Sequence, residues 1–226
     1  MTFKKFLLDL LFPINCLGCR AEGIWLCEKC FRRLKFNTKE YFLKTPYLKR
    51  IFLAGDYDDE LLAKLIKHLK FNSLEAIGLT LGRFLVLFWQ GIIFNQNILS
   101  PGFKNLTPSR ATNILVIPVP LSLKRYRARG FNQAEIIARY FSDQFGYELN
   151  LNLKRIKHRR PQSSLGEAKR QENIKDAFAW TGPKLTGQTI VLIDDVVTTG
   201  ATLNESARIL KSAGSGDIYG LVLAKG

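Results

Sequence analysis

An apolar, β-branched run, Ile190-Val191-Leu192-Ile193, stops at two adjacent carboxylates, Asp194 and Asp195, and no other feature narrows the possible folds as much. Val196 and Val197 follow, then a small, hydroxyl-rich turn, Thr198-Thr199-Gly200-Ala201-Thr202, and a helical pattern begins at Leu203. A strand, a tight turn and a helix in that order present unpaired backbone N–H groups and the positive end of a helix, where a phosphate can sit. Two acids just upstream can accept hydrogen bonds from sugar hydroxyls or hold a divalent cation. Phosphate donors beside diol acceptors describe a ribose 5-phosphate site. The plainer alternative is a pair of solvated acids at a strand end.

The surrounding pattern is α/β. Ile114-Leu115-Val116-Ile117 is a short, wholly apolar strand stopped by Pro118 and Pro120. The next segment, Leu121 to Gln133, carries Lys124, Arg125, Arg127 and Arg129, and is expected to be a loop leading into a helix from Ala134 to Phe145. Loops at the carboxyl ends of strands in an open parallel sheet are where ligands bind, and guanidinium forks match phosphate oxygens two at a time. A solvated charge run is the competing account. Further along come a strand from Thr189 to Ile193, a helix from Leu203 to Ala213 capped by Gly214, and a strand from Ile218 to Ala224. The alternation predicts an α/β fold with an open, doubly wound parallel sheet flanked by helices.

All four cysteines lie near the N-terminus, as Cys16-x-x-Cys19 and Cys27-x-x-Cys30. Two such knuckles can close a tetrahedral Cys₄ site for structural Zn²⁺, with Gly18 and Gly23 supplying turn freedom. A disulfide framework uses the same residues, with three possible pairings among four cysteines. No secretory signal accompanies them, so zinc is the favoured reading. The start of the chain, Met1 to Phe12, mimics a signal peptide, but Asp9 interrupts it and Pro13-Ile14-Asn15 is no small-residue cleavage site. It reads as a short amphipathic helix of a cytoplasmic protein. Phe31, Leu34 and Phe36 are expected to form the apolar seam of the cysteine lobe.

Lys and Arg number 34 against 19 Asp and Glu, a net charge of +15, which favours phosphate-bearing partners without choosing among nucleotides, nucleic acid and anionic lipid. The best apolar run, Phe84 to Phe94, holds about eleven residues, against roughly 20 for a membrane-spanning helix, so no span is expected. Between the cysteines and Ile114, a linker is expected over Thr38 to Pro46 and a strand at Arg50 to Ala54. Leu61, Leu62, Leu65, Ile66 and Leu69 mark a helix whose other face carries Lys64, Lys67, His68 and Lys70, read as solvated, or as contacting a partner. A second helix is expected from Leu74 to about Trp89, then a long surface connection from Gly91 to Asn113. A basic stretch, Lys154 to Ser164, reads as a mobile loop. The domain boundaries are 1–45 for the N-terminal helix and cysteine lobe and 46–226 for the rest, with 46–113 as a helical hood and 114–226 as the ligand-binding core.

At this point the residues resemble a known family. Ile190 to Thr202 looks like the phosphoribosyl-diphosphate (PRPP) signature of type I phosphoribosyltransferases. Within that superfamily the chain is similar to the ComF family of competence-associated proteins, through Leu8-Asp9-Leu10-Leu11-Phe12-Pro13, the two cysteine pairs and Ile66-Lys67-His68-Leu69-Lys70-Phe71. Pro118-Val119-Pro120-Leu121, Arg129-Gly130-Phe131-Asn132-Gln133-Ala134 and Arg170-x-x-Asn173-x-x-x-Ala177-Phe178 extend the likeness.

The resemblance implies that Asp194 and Asp195 bind the ribose hydroxyls of PRPP, and that Thr198, Thr199, Gly200, Ala201 and Thr202 hold its 5-phosphate. It further implies that Lys124, Arg125, Arg127 and Arg129 face the diphosphate and Mg²⁺, with Asp194, Asp195 and Arg125 as the catalytic set. Arg159 and Arg160 match the place of a flexible catalytic loop. A hood over the acceptor is expected from residues 50–113. Two functions are compatible with this. One is a Mg²⁺-dependent phosphoribosyltransferase of unknown acceptor, linked to DNA uptake or the use of imported DNA. The other is a zinc-stabilised module without transferase activity that binds single-stranded DNA or docks on a DNA-uptake helicase. Tyr126 and Phe131, interleaved with arginines, suit the second.

Overall fold

Five strands hydrogen-bond in parallel: β1 (Arg50–Leu53), β2 (Ile114–Pro118), β3 (Glu148–Leu149), β6 (Thr189–Val197) and β7 (Ile218–Lys225), in the order β1-β7-β6-β2-β3. The computed structural model describes residues 14–37, 45–71, 75–94, 113–156 and 174–226. A separate antiparallel hairpin joins β4 (Leu153–Arg155) to β5 (Phe178–Trp180). The helices are α1 (Glu28–Phe31), α2 (Glu60–Phe71), α3 (Glu75–Phe94), α4 (Leu123–Arg129), α5 (Gln133–Phe145) and α6 (Ala201–Ser212).

Strand pleating sorts the side chains into two cores. Phe52, Val116, Val191, Ile193, Tyr219 and Leu221 pack with α2, α3 and α5 on one face. Ile51, Leu115, Ile117, Ile190, Leu192 and Val222 pack with α6 and the β4–β5 hairpin on the other. The central strands are therefore apolar on both faces over residues 114–117, 190–193 and 221–224, the pattern of a sheet covered on both sides. The expected parallel α/β sheet flanked by helices is present. β1, grouped by sequence with the hood, is an edge strand of this sheet.

Several boundaries differ from the sequence expectation. β6 does not end at Ile193 but runs through Asp194 and Asp195 to Val197, because β7 continues to pair with it through Val196 and Val197. The basic segment after β2 is a helix, α4, not a loop: Ser122 caps it by accepting a hydrogen bond from Arg125 N, and left-handed Gly130 ends it. Helix α6 starts at Ala201, two residues early, and its C-cap is Ala213, with Gly214 following in the left-handed region. Lys154 and Arg155, expected in a basic loop, belong to β4.

Helix α3 extends to Phe94 and takes the first residues of the expected connection. Contrary to the expectation from its longest apolar run, Glu75–Ile93 is long and apolar enough to cross a membrane. Most of that stretch is buried inside the protein, where Ile77, Leu81, Leu85 and Trp89 are fully enclosed. The expected N-terminal helix (1–12), most of the expected linker (38–44), the rest of the expected connection (95–112) and the basic segment from 157 to 173 lie outside the described residues.

The cysteine lobe shares the first core through Cys16, Leu26, Cys30, Phe31 and Leu34. Phe36 is largely exposed, yet its ring stacks on Phe84 at 4.8 Å. Arg83 of α3 lies 4.2 Å from the Phe31 ring centroid and grips Glu28 with two hydrogen bonds of 2.7 and 3.0 Å. That grip, reinforced by Arg32, holds the Glu28 carboxyl down at about 2.

Candidate functional site

From β2 the chain passes through α5, on the first face, to β3 at the edge. From β6 it passes through α6, on the opposite face, to β7 on the other side. The strand order thus reverses between β2 and β6, and their carboxyl ends flank the crevice where open α/β sheets bind ligands. Val119 N donates to Ile193 O at 2.8 Å, and buried Asn132 donates through Nδ2 to Val119 O at 3.1 Å, fixing the proline-flanked exit of β2.

Asp194 and Asp195 stand at the β6 side of this crevice, both half-buried. Each carboxylate accepts a hydrogen bond from the next backbone N–H: Asp195 N to Asp194 Oδ1 at 2.8 Å, and Val196 N to Asp195 Oδ1 at 2.7 Å. Because they are consecutive in a strand, they meet different layers. Asp195 Oδ2 pairs with Lys70 Nζ of α2 at 3.0 Å. Asp194 interacts with Arg155 of β4, on the other side of the sheet. Burial, joined by the charge of Asp195, pushes the Asp194 carboxyl well above the usual carboxylate value.

The turn after β6 leads to Gly200 at φ 76°, ψ 0°, a left-handed conformation that a side chain would strain. Gly200 brings no capping oxygen, so α6 opens without a side-chain N-cap. Thr199 Oγ1 accepts from Ala201 N at 3.3 Å, while the hydroxyl-bearing Thr198 is exposed. The predicted phosphate cradle, Thr198 to Thr202, is therefore a strand-to-helix turn as expected, adjoining the acids.

The four cations of α4 divide. Arg129 is half-buried, donates from Nη1 to the buried Gln133 Oε1 at 3.0 Å, and feels the charges of Asp195 and Arg125. Burial lowers its pKa from the usual arginine value. Arg125, four residues earlier, shares its face, and its charge reaches both Arg129 and Arg155. Lys124 and Arg127 are exposed on the other side of the helix. The fold thus places Arg129 in the field of Asp195 and Arg125 in the fields of Arg129 and Arg155, while Lys124 and Arg127 are exposed.

Sequence reasoning misses Lys70 and Arg155 as site residues. Lys70 reads as solvated, but at helical spacing it falls at the edge of the stripe formed by Leu62, Leu65, Ile66 and Leu69, whereas Lys64 and Lys67 lie opposite. That offset is the one usable signal. Arg155 has none, since nothing local distinguishes it from its basic neighbours. His68, on the same helix as Lys70, is half-buried beside Trp25, with ring centroids 6.5 Å apart.

In the lobe, the Sγ atoms of Cys16, Cys19, Cys27 and Cys30 all lie within 4.8 Å of one another. Cys27 Sγ is 3.7 Å from Cys16 Sγ and 3.6 Å from Cys19 Sγ, far beyond a disulfide bond of about 2.05 Å. A tetrahedral Zn²⁺ with Zn–S of about 2.3 Å separates its sulfurs by about 3.8 Å, so this donor set fits zinc. Burial opposes ionisation of Cys16, but backbone hydrogen bonds from Cys27, Cys19 and Gly18 outweigh it and bring the thiol down to about 6. Burial and the neighbouring sulfurs push Cys30 up to about 12. Thiols so closely grouped need a cation to ionise together. Gly18 serves closeness, since a Cβ there would lie 2.7 Å from Cys30 Sγ.

Fold and site define a phosphoribosyltransferase-like α/β protein with a four-cysteine lobe at its N-terminal side. Residues 127–225 match the phosphoribosyl transferase domain family. The chain is 30% identical to DNA utilization protein YhgH of Escherichia coli (strain K12), over 91% of this chain and 94% of that protein. It is 29% identical to Competence protein F of Haemophilus influenzae, over 93% of this chain and 90% of that one. Competence protein ComFC of Streptococcus pneumoniae is 35% identical over 102 residues, 45% of this chain and 44% of its own length. The chain belongs to the ComF family of competence proteins.

Proposed function

We propose that this protein binds PRPP in the crevice between β2 and β6 and acts as a phosphoribosyltransferase in the use of DNA taken up by the cell, in a cytoplasmic setting. One observation carries the reading: two carboxylates and an uncapped helix N-terminus converge at the switch point of a parallel sheet, faced by cations from α2, α4 and β4.

In this reading the N–H groups and hydroxyls from Thr198 to Thr202 take the 5-phosphate, aided by the α6 dipole. Asp194 and Asp195 accept from the ribose hydroxyls. Diphosphate leaves C1 through an oxocarbenium-like state, so catalysis asks for positioning and for cations at the departing charge. Arg125 and Arg129 supply those. Mg²⁺, bound with the donor, would neutralise part of the diphosphate charge, and the two carboxylates are oxygen ligands of the kind it takes. The acceptor, in this reading, enters from the side of α2 and α3.

The names of the relatives, which speak of competence and DNA utilization, support the link to DNA. A second reading has one observation of its own: Tyr126 is 46% exposed between exposed Lys124, Arg125 and Arg127. That is the charge-plus-stacking pattern of single-strand binding, which could equally serve docking on a DNA-uptake helicase.

Calorimetric titration of PRPP with Mg²⁺ tests binding. The expected result is saturable binding that Asp194→Ala and Asp195→Ala each abolish, and unchanged affinity in both variants overturns the ribose assignment. Diphosphate release across a panel of bases and other acceptors then separates transfer from binding alone. Fluorescence anisotropy with single-stranded DNA tests the second reading, which requires affinity that falls steeply with salt.

A further inference from the structure

Glu205 is an unexpected residue for its place. It follows Ala201, the first residue of α6, by about one helical turn, so a carboxylate stands close behind the turn that would take a phosphate. Its side chain is only 8% exposed. Arg208 answers the charge: Nε donates to Glu205 Oε2 at 2.8 Å and Nη2 to Glu205 Oε1 at 2.7 Å. Both bonds lie within α6 and do not account for an acid at this position.

The other bonds of the pair leave the helix. Asp176 N donates to Glu205 Oε1 at 2.6 Å, and Arg208 Nη2 donates to Asp176 Oδ1 at 2.9 Å. Asp176 is held at φ 54°, in the left-handed region that a residue with a side chain adopts at a cost. Ala177 comes next, its carbonyl accepting from Ile156 N at 2.8 Å, and then Phe178, the register partner of Arg155. The α6 pair therefore grips the β4–β5 hairpin beside its Arg155–Phe178 end.

Apolar packing alone would not fix that point. Ala177, Phe178, Leu203, Ala207 and Leu210 share one core between hairpin and helix, and apolar contact is non-directional, tolerating a slide along the helix axis. Forked, charge-assisted bonds do not tolerate it. At one end of this assembly α6 opens at the phosphate turn, and at the other the hairpin carries Arg155 into the field of Asp194. The clasp joins two walls of the crevice.

We propose that Glu205 and Arg208 are positioning residues, which with Asp176 form a spacer fixing the distance between the phosphate turn and the hairpin. The crevice then favours a sugar phosphate with a second phosphate group at the far side of the sugar over one with a single phosphate. This rests on the PRPP reading above and adds to it residues that touch no ligand. The strained backbone of Asp176 has its explanation here, since the grip on both its N–H and its carboxylate holds it in place.

Two measurements on the full-length, zinc-loaded protein test this: hydrogen exchange without ligand, and calorimetry at fixed Mg²⁺ with PRPP and ribose 5-phosphate as probes. Glu205→Gln keeps an oxygen for Asp176 N but loses the charged fork to Arg208. It is expected to speed amide exchange over residues 176–180 about tenfold while the amides of α6 hold. It should weaken PRPP about fivefold and leave ribose 5-phosphate within about twofold. Asp176→Gly suits the left-handed backbone, keeps the N–H and removes only the arm to Arg208, so its ratio of the two affinities should fall between wild type and Glu205→Gln. Should Glu205→Gln fail to fold, Asp176→Gly decides, and a wild-type ratio there overturns the proposal. A merely structural pair would lower the melting temperature and leave the ratio unchanged, or weaken both ligands alike, and either result overturns it. If wild-type protein does not bind PRPP, the PRPP reading falls and the spacer role with it. Tight wild-type PRPP binding with an unchanged ratio in the variants is the failure of the clasp alone.

Discussion

Lys70 Nζ lies 3.0 Å from Asp195 Oδ2, and this contact ties helix α2 to the carboxylates at the mouth of the crevice. Both side chains are mostly buried, at 21% and 14% exposure, so the pair is screened far less than a surface ion pair. Asp194, one residue earlier, lies in the fields of both Lys70 and Arg155 and is raised by burial and by the charge of Asp195. The two acids are chemically alike and electrostatically unlike.

A double-mutant cycle reads the Lys70–Asp195 contact directly. Lys70→Met leaves a half-buried carboxylate without its cation and is expected to destabilise the protein, and Asp195→Asn in the same chain is expected to recover much of that loss. The coupling energy from urea unfolding should be about 1–3 kcal/mol. Additive effects of the two changes would show that the contact contributes nothing.

Asp194 gives a pH-dependent signature whose sign follows from its raised pKa. The fold prefers the protonated acid, so this group's contribution to stability is present below the usual carboxylate value of 3.8 and is lost as pH rises through the raised value. Asp194→Asn keeps the neutral shape at every pH. Thermal melting of the ligand-free protein should therefore find the variant more stable than wild type by a few degrees at about pH 8, with the gap closing toward about pH 4. The same variant should lose PRPP. A gap that widens toward acid pH contradicts the burial account.

The cysteine lobe should hold about one Zn²⁺ per chain by metal analysis. Since Cys16, Cys30 and Phe31 belong to the same core as α2 and α3, chelation is expected to lower the melting temperature of the whole protein and not of a detached lobe. Gly18→Ala drives a methyl against Cys30 Sγ and should weaken zinc retention in a chelator competition assay. A metal-free protein with an unchanged melting transition would remove zinc from the account of stability.

Much of this architecture is legible in the order of residues alone. The apolar stretches over residues 114–117 and 190–193 suit only strands covered on both sides, and the cysteine spacing implies a common ligand. The acids beside a Thr-Gly turn mark the site. What is not legible arises from non-local pairing. β6 outruns its apolar residues because β7 keeps pairing with it past the acids. The basic segment after β2 closes into a helix once Ser122 and Gly130 cap it, which sorts four similar cations into two faces.

The sequence by itself determined the central strands, the longer helices, the four-thiol cluster and the acids, because apolar periodicity, turn chemistry and ligand spacing are local properties. Only the tertiary structure decided which cations meet which acid. Strand pleating sends Asp194 and Asp195 to opposite layers, and the strand order opens the crevice between β2 and β6. Lys70, 125 residues before its partner, and Arg155, brought in by pairing with Phe178, reach that crevice through packing that no local pattern encodes.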